Sequence, residues 1–304
     1  MSKPRAWSPA LESGQVISSE VELVVLPVSV TNRHGHSVSG LPKEDFRVYE
    51  DGRPQEISLF GRSDVPVTVG LVLDNSRSMW TDRPEVTEAA TDFLNSSNAD
   101  DQVFVVNFSD DATLGMPAGV PFTSNIGTLR ESLFRGMEPG RTALYDGVKL
   151  GLEHLAGGTT DKKALVIISD GGDNASRATF AQILGLARHG NAIIYAIGIL
   201  GESSSDVNPK LLTRLTKATG GQAFFPRTAK EVPKICDEIA QELRQQYTLG
   251  YTPTNRAQNG SFRTVRVTVD APNLSGLTVR TRTGYYATAA RNSPSAPVAT
   301  SGSR

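Results

Sequence analysis

The stretch VTVGLVLDNSRSM, residues 67–79, decides how the rest of the chain is read. Residues 67–73 form a near-continuous apolar run, the pattern of a strand covered on both faces. The run ends in the polar loop Asp74-Asn75-Ser76-Arg77-Ser78. In open α/β sheets, ligands bind just beyond the carboxyl ends of the strands. Asp74, Ser76 and Ser78 therefore stand where a site is expected. One carboxylate and two hydroxyls, alternating in a tight loop, can converge on one point, and hard cations such as Mg²⁺ take oxygen ligands of this kind.

Outward from this loop, helical and strand patterns alternate. Residues 84–97 read as a helix, with Pro84 in its first turn and Val86, Ala89, Ala90, Phe93 and Leu94 on one face. A strand follows over 103–108, then a short helix over 126–134 and another over 143–155. A second buried strand covers 164–168, a helix 179–189 and a third buried strand 192–200. Asn208 caps a helix that opens with Pro209 and ends near Gly220. A brief edge strand at 223–225 precedes a long helix over 230–246. This order predicts a doubly wound, Rossmann-like α/β domain with a mostly parallel sheet.

The flanks read differently. Residues 21–30 are rich in Val, residues 46–50 alternate, and Asp51-Gly52 has hairpin-turn chemistry, with residues 57–60 expected to close the hairpin. Beyond Gln246 the stretches 247–251, 262–269 and 277–283 alternate again. The expected division is thus N-terminal β strands over 19–64, the α/β domain over 65–246 and C-terminal β strands over 247–288. The two sets of strands would build one small β-sandwich into which the α/β domain is inserted. Residues 1–18 and 289–304 are polar, Pro-containing and aperiodic, and are expected to be disordered tails.

Composition narrows the function. Lys plus Arg is 31 and Asp plus Glu is 32, a formal net charge of −1, which argues against a general nucleic-acid binder. With one cysteine, Cys236, the 304-residue chain has no internal disulfide. No apolar stretch approaches the ~18–20 residues of a membrane span, and the N-terminal run MSKPRAWSPALESGQ lacks the apolar core of a signal peptide.

Two later stretches add oxygen ligands at the same predicted sheet edge. Gly140-Arg141-Thr142 precedes a helix, and Ser169-Asp170-Gly171 follows the second buried strand. Taken singly, each has a plainer reading: Asp and Ser after a strand form turns, and Thr142 is a common N-cap type. Together, DNSRSM, GRTALYDGV and ALVIISDG resemble, in order and in register with the elements, the metal-ion-dependent adhesion site of von Willebrand factor A domains. The resemblance covers roughly residues 66–246. GLPKEDFRVYEDGRPQEI before the domain, and LRQQYTLGYTP and VRTRTGYYA after it, resemble a bacterial, acidobacterial subgroup of von Willebrand A-related proteins.

The resemblance implies a metal set of Asp74, Ser76, Ser78, Thr142 and Asp170 holding Mg²⁺, with Mn²⁺ or Ca²⁺ as substitutes. Ser76 and Ser78 would ligate directly, Thr142 directly or through water, and Asp74 and Asp170 mainly through water. With few charged direct ligands the cation keeps most of its charge and takes an Asp or Glu carboxylate of a partner protein as its last ligand. Arg77, Arg141 and Asp173 are candidates for the partner-binding rim, with plain surface residues as the alternative. The family also implies an extracytoplasmic, adhesion-type module and no enzyme.

Two rival functions stay open from sequence. A metal-dependent phosphoryl-transfer enzyme could use Asp74 as nucleophile, but such sites place a second acid nearby, where Asn75 and Ser76 stand here. A structural domain with a vestigial metal site is the other. No Gly-x-Ser-x-Gly elbow, P-loop or dinucleotide fingerprint is present.

Overall fold

The computed structural model describes residues 23–62, 65–95, 98–136, 138–199, 208–272 and 274–287. The expected tails at 1–18 and 289–304 lie outside these residues, as do the predicted ends of a helix at Ser97 and of a strand at Leu200.

The chain opens with strands β1 (Val24–Thr31), β2 (Phe46–Glu50), β3 (Arg53–Gln55) and β4 (Ile57–Gly61). The central unit follows with β5 (Val67–Asp74), α1 (Arg83–Asn95), β6 (Gln102–Phe108), β7 (Ala112–Leu114), α2 (Ile126–Ser132) and α3 (Leu144–Leu155). It continues through β8 (Lys162–Ser169), α4 (Phe180–His189), β9 (Ala192–Gly198), α5 (Pro209–Thr219), β10 (Ala223–Phe224) and α6 (Val232–Gln245). The chain closes with β11 (Tyr247–Tyr251), β12 (Phe262–Val269), β13 (Thr278–Arg280) and β14 (Gly284–Tyr286).

The central sheet has six strands in the order β10-β9-β8-β5-β6-β7. All pairings are parallel except that of the edge strand β7 with β6. β5 is buried over seven of its eight residues, as its unbroken apolar run requires of a strand with layers on both sides. On one side α1 packs against α6, and on the other α3, α4 and α5 pack in series. The chain leaves β5 toward β6 and returns past it to β8, so the order reverses between β5 and β8. In folds of this kind, the crevice at such a reversal is the place for a ligand.

α3 lies close over this crevice because its inner face is notched by glycines. A methyl group added at Gly147 would meet the Phe108 ring at 2.8 Å, and one at Gly151 would meet Leu165 at 2.9 Å.

The flanking strands form two antiparallel sheets of four, ordered β13-β1-β11-β4 and β14-β12-β2-β3, each drawing strands from both ends of the chain. Their inner faces share one apolar core that includes Leu26, Val28, Phe46, Val48, Tyr247, Leu249 and Val267. Asp51 and Gly52 both take positive φ, 47° and 77°, as a tight two-residue hairpin turn requires. The strand that closes this hairpin is Arg53–Gln55, paired with β2. The expectation that residues 57–60 would do so is corrected: β4 crosses to the other sheet and pairs with β11. Alternation cannot distinguish two strands of one hairpin from strands of two facing sheets, because both bury every second residue.

A buried polar junction joins the sandwich to the α/β unit. Tyr195 on β9 donates to Glu242 on α6 at 2.7 Å. Gln246 donates to Ser29 of β1 at 3.1 Å and to Tyr195 at 3.2 Å. Arg280 of β13 donates to both Glu242 and Gln222. His189 at the end of α4 stacks on Tyr286, with ring centroids 4.2 Å apart.

Gly147→Val tests the notch. Forcing a branched side chain against Phe108 should cost about 1–3 kcal/mol, as overpacking does, and should lower the urea midpoint. An unchanged midpoint would show that α3 does not need this close approach.

Candidate metal centre

The parallel register sets Leu73 opposite Ile168, so Asp74 and Ser169 emerge side by side at the crevice. Asp74 is 1% exposed. Its Oδ1 accepts from the Ser76 amide at 2.8 Å, and its Oδ2 accepts from the Ser169 hydroxyl at 2.6 Å. Burial pushes the Asp74 carboxyl up to about 6; the hydrogen bonds from Ser169 and Ser76 oppose this, and the Asp170 charge adds to it.

The loop after Asp74 turns so that the Ser78 hydroxyl reaches Asp170 and the Ser76 hydroxyl lies beside that of Ser78. Ser76 Oγ lies 3.1 Å from Ser78 Oγ, and Ser78 Oγ donates to Asp170 Oδ2 at 2.7 Å. Asp170 is 6% exposed, and its other oxygen accepts from the Gly172 amide at 3.0 Å. Gly171, at φ 84°, supplies the left-handed turn between them, which a residue with a Cβ rarely adopts.

The third loop is bound to the first by its backbone. The Arg77 amide donates to the Gly140 carbonyl at 3.1 Å, two residues before Thr142. The Thr142 amide donates to Asn174 Oδ1 at 2.9 Å, and its carbonyl accepts from the amides of Asn174 and Ala175. Thr142 is 6% exposed, and its neighbour Ala143 donates to the Ser109 carbonyl at 2.8 Å. The structure therefore joins Asp74, Ser76, Ser78 and Asp170 through side-chain hydrogen bonds, and brings Thr142 to the same rim through its backbone.

The proposed rim residues differ from one another. Arg77 is exposed. Arg141 is also exposed but binds Asp110 at 2.9 Å, which holds the Asp110 carboxyl below its ordinary value. Asp173 is turned inward, accepting from the Tyr145 amide at 3.2 Å and from Ser176 at 2.5 Å, so its carboxylate braces the start of α3.

Sequence reasoning gave no role to Ser169, Asn75, Asn107 or Arg83. Asn75 donates to Asn107 at 3.2 Å, and Asn107 in turn donates to the carbonyls of Ser132 and Arg135 at 2.8 and 2.9 Å. The buried Arg83 guanidinium donates to the Leu133 carbonyl, and burial lowers its pKa to about 10 against the opposing charge of Asp74. A polar residue inside an apolar strand pattern, as Asn107 is in QVFVVNF, was the available signal.

A model of the von Willebrand factor type A domain matches residues 68–238, more than half of the 304-residue chain. The chain belongs to the von Willebrand factor type A family. Among solved structures similar to this von Willebrand factor A protein is "von Willebrand factor type A from Catenulispora acidiphila", at 13% identity and a TM-score of 0.54, covering 84% of this chain and 73% of that one. Another is proximal thread matrix protein 1 from the mussel byssus "with zinc occupied MIDAS motif", at 17% identity and a TM-score of 0.52, covering 64% of this chain and 49% of that one. At such identities the likeness speaks for the fold. No curated protein sequence matches the chain significantly.

The donor set suits a hard divalent cation: hydroxyl oxygens of Ser76 and Ser78 beside one carboxylate, with a second carboxylate behind them. Burial is the main cause of the raised Asp74 pKa and the Asp170 charge adds to it; a cation held between the two loops would offset both.

Ser169→Ala would leave Asp74 Oδ2 without its buried donor and should destabilise the chain by about 1–3 kcal/mol. Arg141→Ala removes only an exposed ion pair and should leave the urea midpoint nearly unchanged. Equal losses for the two variants in urea unfolding would contradict this ordering.

Proposed function

We propose that this von Willebrand factor A protein is a metal-ion-dependent binding module in which Asp74, Ser76, Ser78, Thr142 and Asp170 hold one divalent cation. The observation that carries the reading is the run of contacts from Ser76 to Ser78 to Asp170, which gathers oxygens from two loops at the reversal of strand order. Mg²⁺ is the proposed resident, and Mn²⁺ or Ca²⁺ could replace it. When bound, the cation supplies a Lewis-acid position that a partner's Asp or Glu carboxylate can occupy.

The chain's own residues prepare that position. Asp74 spends both oxygens on Ser76 and Ser169, so it holds the loop in shape instead of facing outward. Ser76 and Ser78 are left as neutral donors. Arg77, exposed between them, adds positive potential for an acidic partner. We assign the module to an extracytoplasmic setting on family resemblance, and to the bacterial subgroup on its flanking motifs. Among the described residues no helix is long and apolar enough to cross a membrane.

The engagement of both Asp74 oxygens weighs against the phosphoryl-transfer reading, since an attacking carboxylate needs a free oxygen pointing at its substrate. The vestigial-site reading is answered by linkage: a ligand that binds only the folded chain stabilises it, by about 2.7 kcal/mol at a hundred times its dissociation constant. Mg²⁺ or Mn²⁺ should therefore raise the melting temperature by several degrees, and the paired variant Ser76→Ala/Ser78→Ala should abolish the rise. No shift in the parent chain would defeat the metal reading. Partner capture from an envelope extract should need Mg²⁺, reverse with chelator and vanish in Asp74→Ala. Phosphate-ester turnover dependent on Asp74, without capture, would favour the enzyme.

A further inference from the structure

The loop that carries Ser76 and Ser78 continues into an exposed aromatic. Trp80 is 52% exposed, two residues beyond Ser78. Its amide donates to the Arg77 carbonyl at 3.4 Å, and Met79 beside it is 2% exposed, so a buried residue pins the turn beneath. A second aromatic, Phe134, is 56% exposed on the turn that follows α2. That turn is fastened to the same loop. Asn75 donates to Asn107, Asn107 holds the carbonyls of Ser132 and Arg135, and Arg83 at the start of α1 holds the carbonyl of Leu133.

Single exposed apolar residues are common and need no account. Here two large aromatic residues stand on backbone that hydrogen bonds tie to the metal loop and to the start of α1. Each residue leaves more than half of its surface exposed, although aromatic burial is among the largest apolar gains available to a side chain. Along the chain, Arg77 lies three residues before Trp80 and Arg135 directly follows Phe134. Arg77 and Arg135 are exposed, and no ion pair among the described residues includes either. Trp and Arg on a preorganised surface are the residue types that dominate binding energy at protein interfaces.

We infer that Trp80, Phe134, Arg77 and Arg135 form a specificity surface beside the metal centre, and that it takes an acidic partner segment whose metal-seeking carboxylate is followed by an aromatic or large apolar side chain and then a second acidic residue. The inference rests on the metal-centre reading and adds the partner's chemistry to it. The carboxylate goes to the cation, the apolar side chain covers the exposed rings, and the second acid meets an unpaired guanidinium. A neutral apolar partner would leave both arginines uncompensated, and a merely acidic one would leave the rings in water.

The test uses the full chain and three fluorescein-labelled heptapeptides, read by anisotropy. They are Gly-Ser-Asp-Phe-Glu-Ser-Gly, the same peptide with Ser for Phe, and the same peptide with Asn for Asp. In Mg²⁺ the Phe peptide should bind about tenfold tighter than the Ser peptide, and the Asn peptide should lose Mg²⁺-dependent binding. Trp80→Ala and Phe134→Ala should each reduce the Phe-over-Ser preference, and together bring it near one, while the thermal shift with Mg²⁺ persists. Trp80→Phe should restore most of the preference. Equal binding of the Phe and Ser peptides, a preference that survives the double variant, or a Mg²⁺-stabilised chain that binds neither peptide would overturn the surface. Absence of any Mg²⁺ shift would instead sink the metal reading, and the Phe-over-Ser preference measured in chelator would then decide the aromatic surface alone.

Discussion

The parallel pairing of β5 with β8 sets Leu73 opposite Ile168, and the chain must leave both strands at the same level. Asp74 and Ser169 then emerge together at the point where the strand order reverses, and the carboxylate is buried as it leaves the sheet. A buried carboxylate needs donors for its oxygens, and here they are the Ser76 amide and the Ser169 hydroxyl. Those two bonds dictate the course of the loop. Once Ser76 is fixed, Ser78 faces Asp170, and two loops far apart in sequence share one polar contact. Slippage of β8 by one residue would turn Ser169 to the opposite face and leave Asp74 Oδ2 without its donor.

The second tier of the site is built from asparagines. Asn75 and Asn107 tie the first loop to the turn after α2, and Asn174 ties the Thr142 loop to the turn after β8. An amide offers donors and an acceptor at once without a charge, so it can bridge backbone segments beside two carboxylates without adding to their repulsion. This explains how three loops keep one arrangement although most of the participating groups are polar and buried.

The sandwich affects the α/β unit through α6. Glu242 on that helix is held by Tyr195 from the central sheet and by Arg280 from the outer strand β13. Breaking one member of such a buried charged set leaves its partners uncompensated. The helix is thereby restrained against sliding, and the two units are joined by directional contacts as well as by continuity of chain.

Much of this was legible in the residues alone. The apolar runs of β5, β8 and β9 are long and unbroken because each strand is covered on both faces, and the helix ends at Asn208 and Gly220 use residue types whose local bonding needs no distant partner. The oxygen-bearing motifs were likewise readable: two follow apolar strands, and the third, at Thr142, comes just before a helix. What the sequence did not carry was who meets whom. The crossing of β4 to the other sheet, the inward turn of Asp173 and the service of Ser169 to Asp74 depend on contacts between residues tens of positions or more apart. Local propensity is a property of neighbours along the chain, whereas these features were settled by packing and by the demand that every buried carboxylate find a donor, which only the folded arrangement can meet.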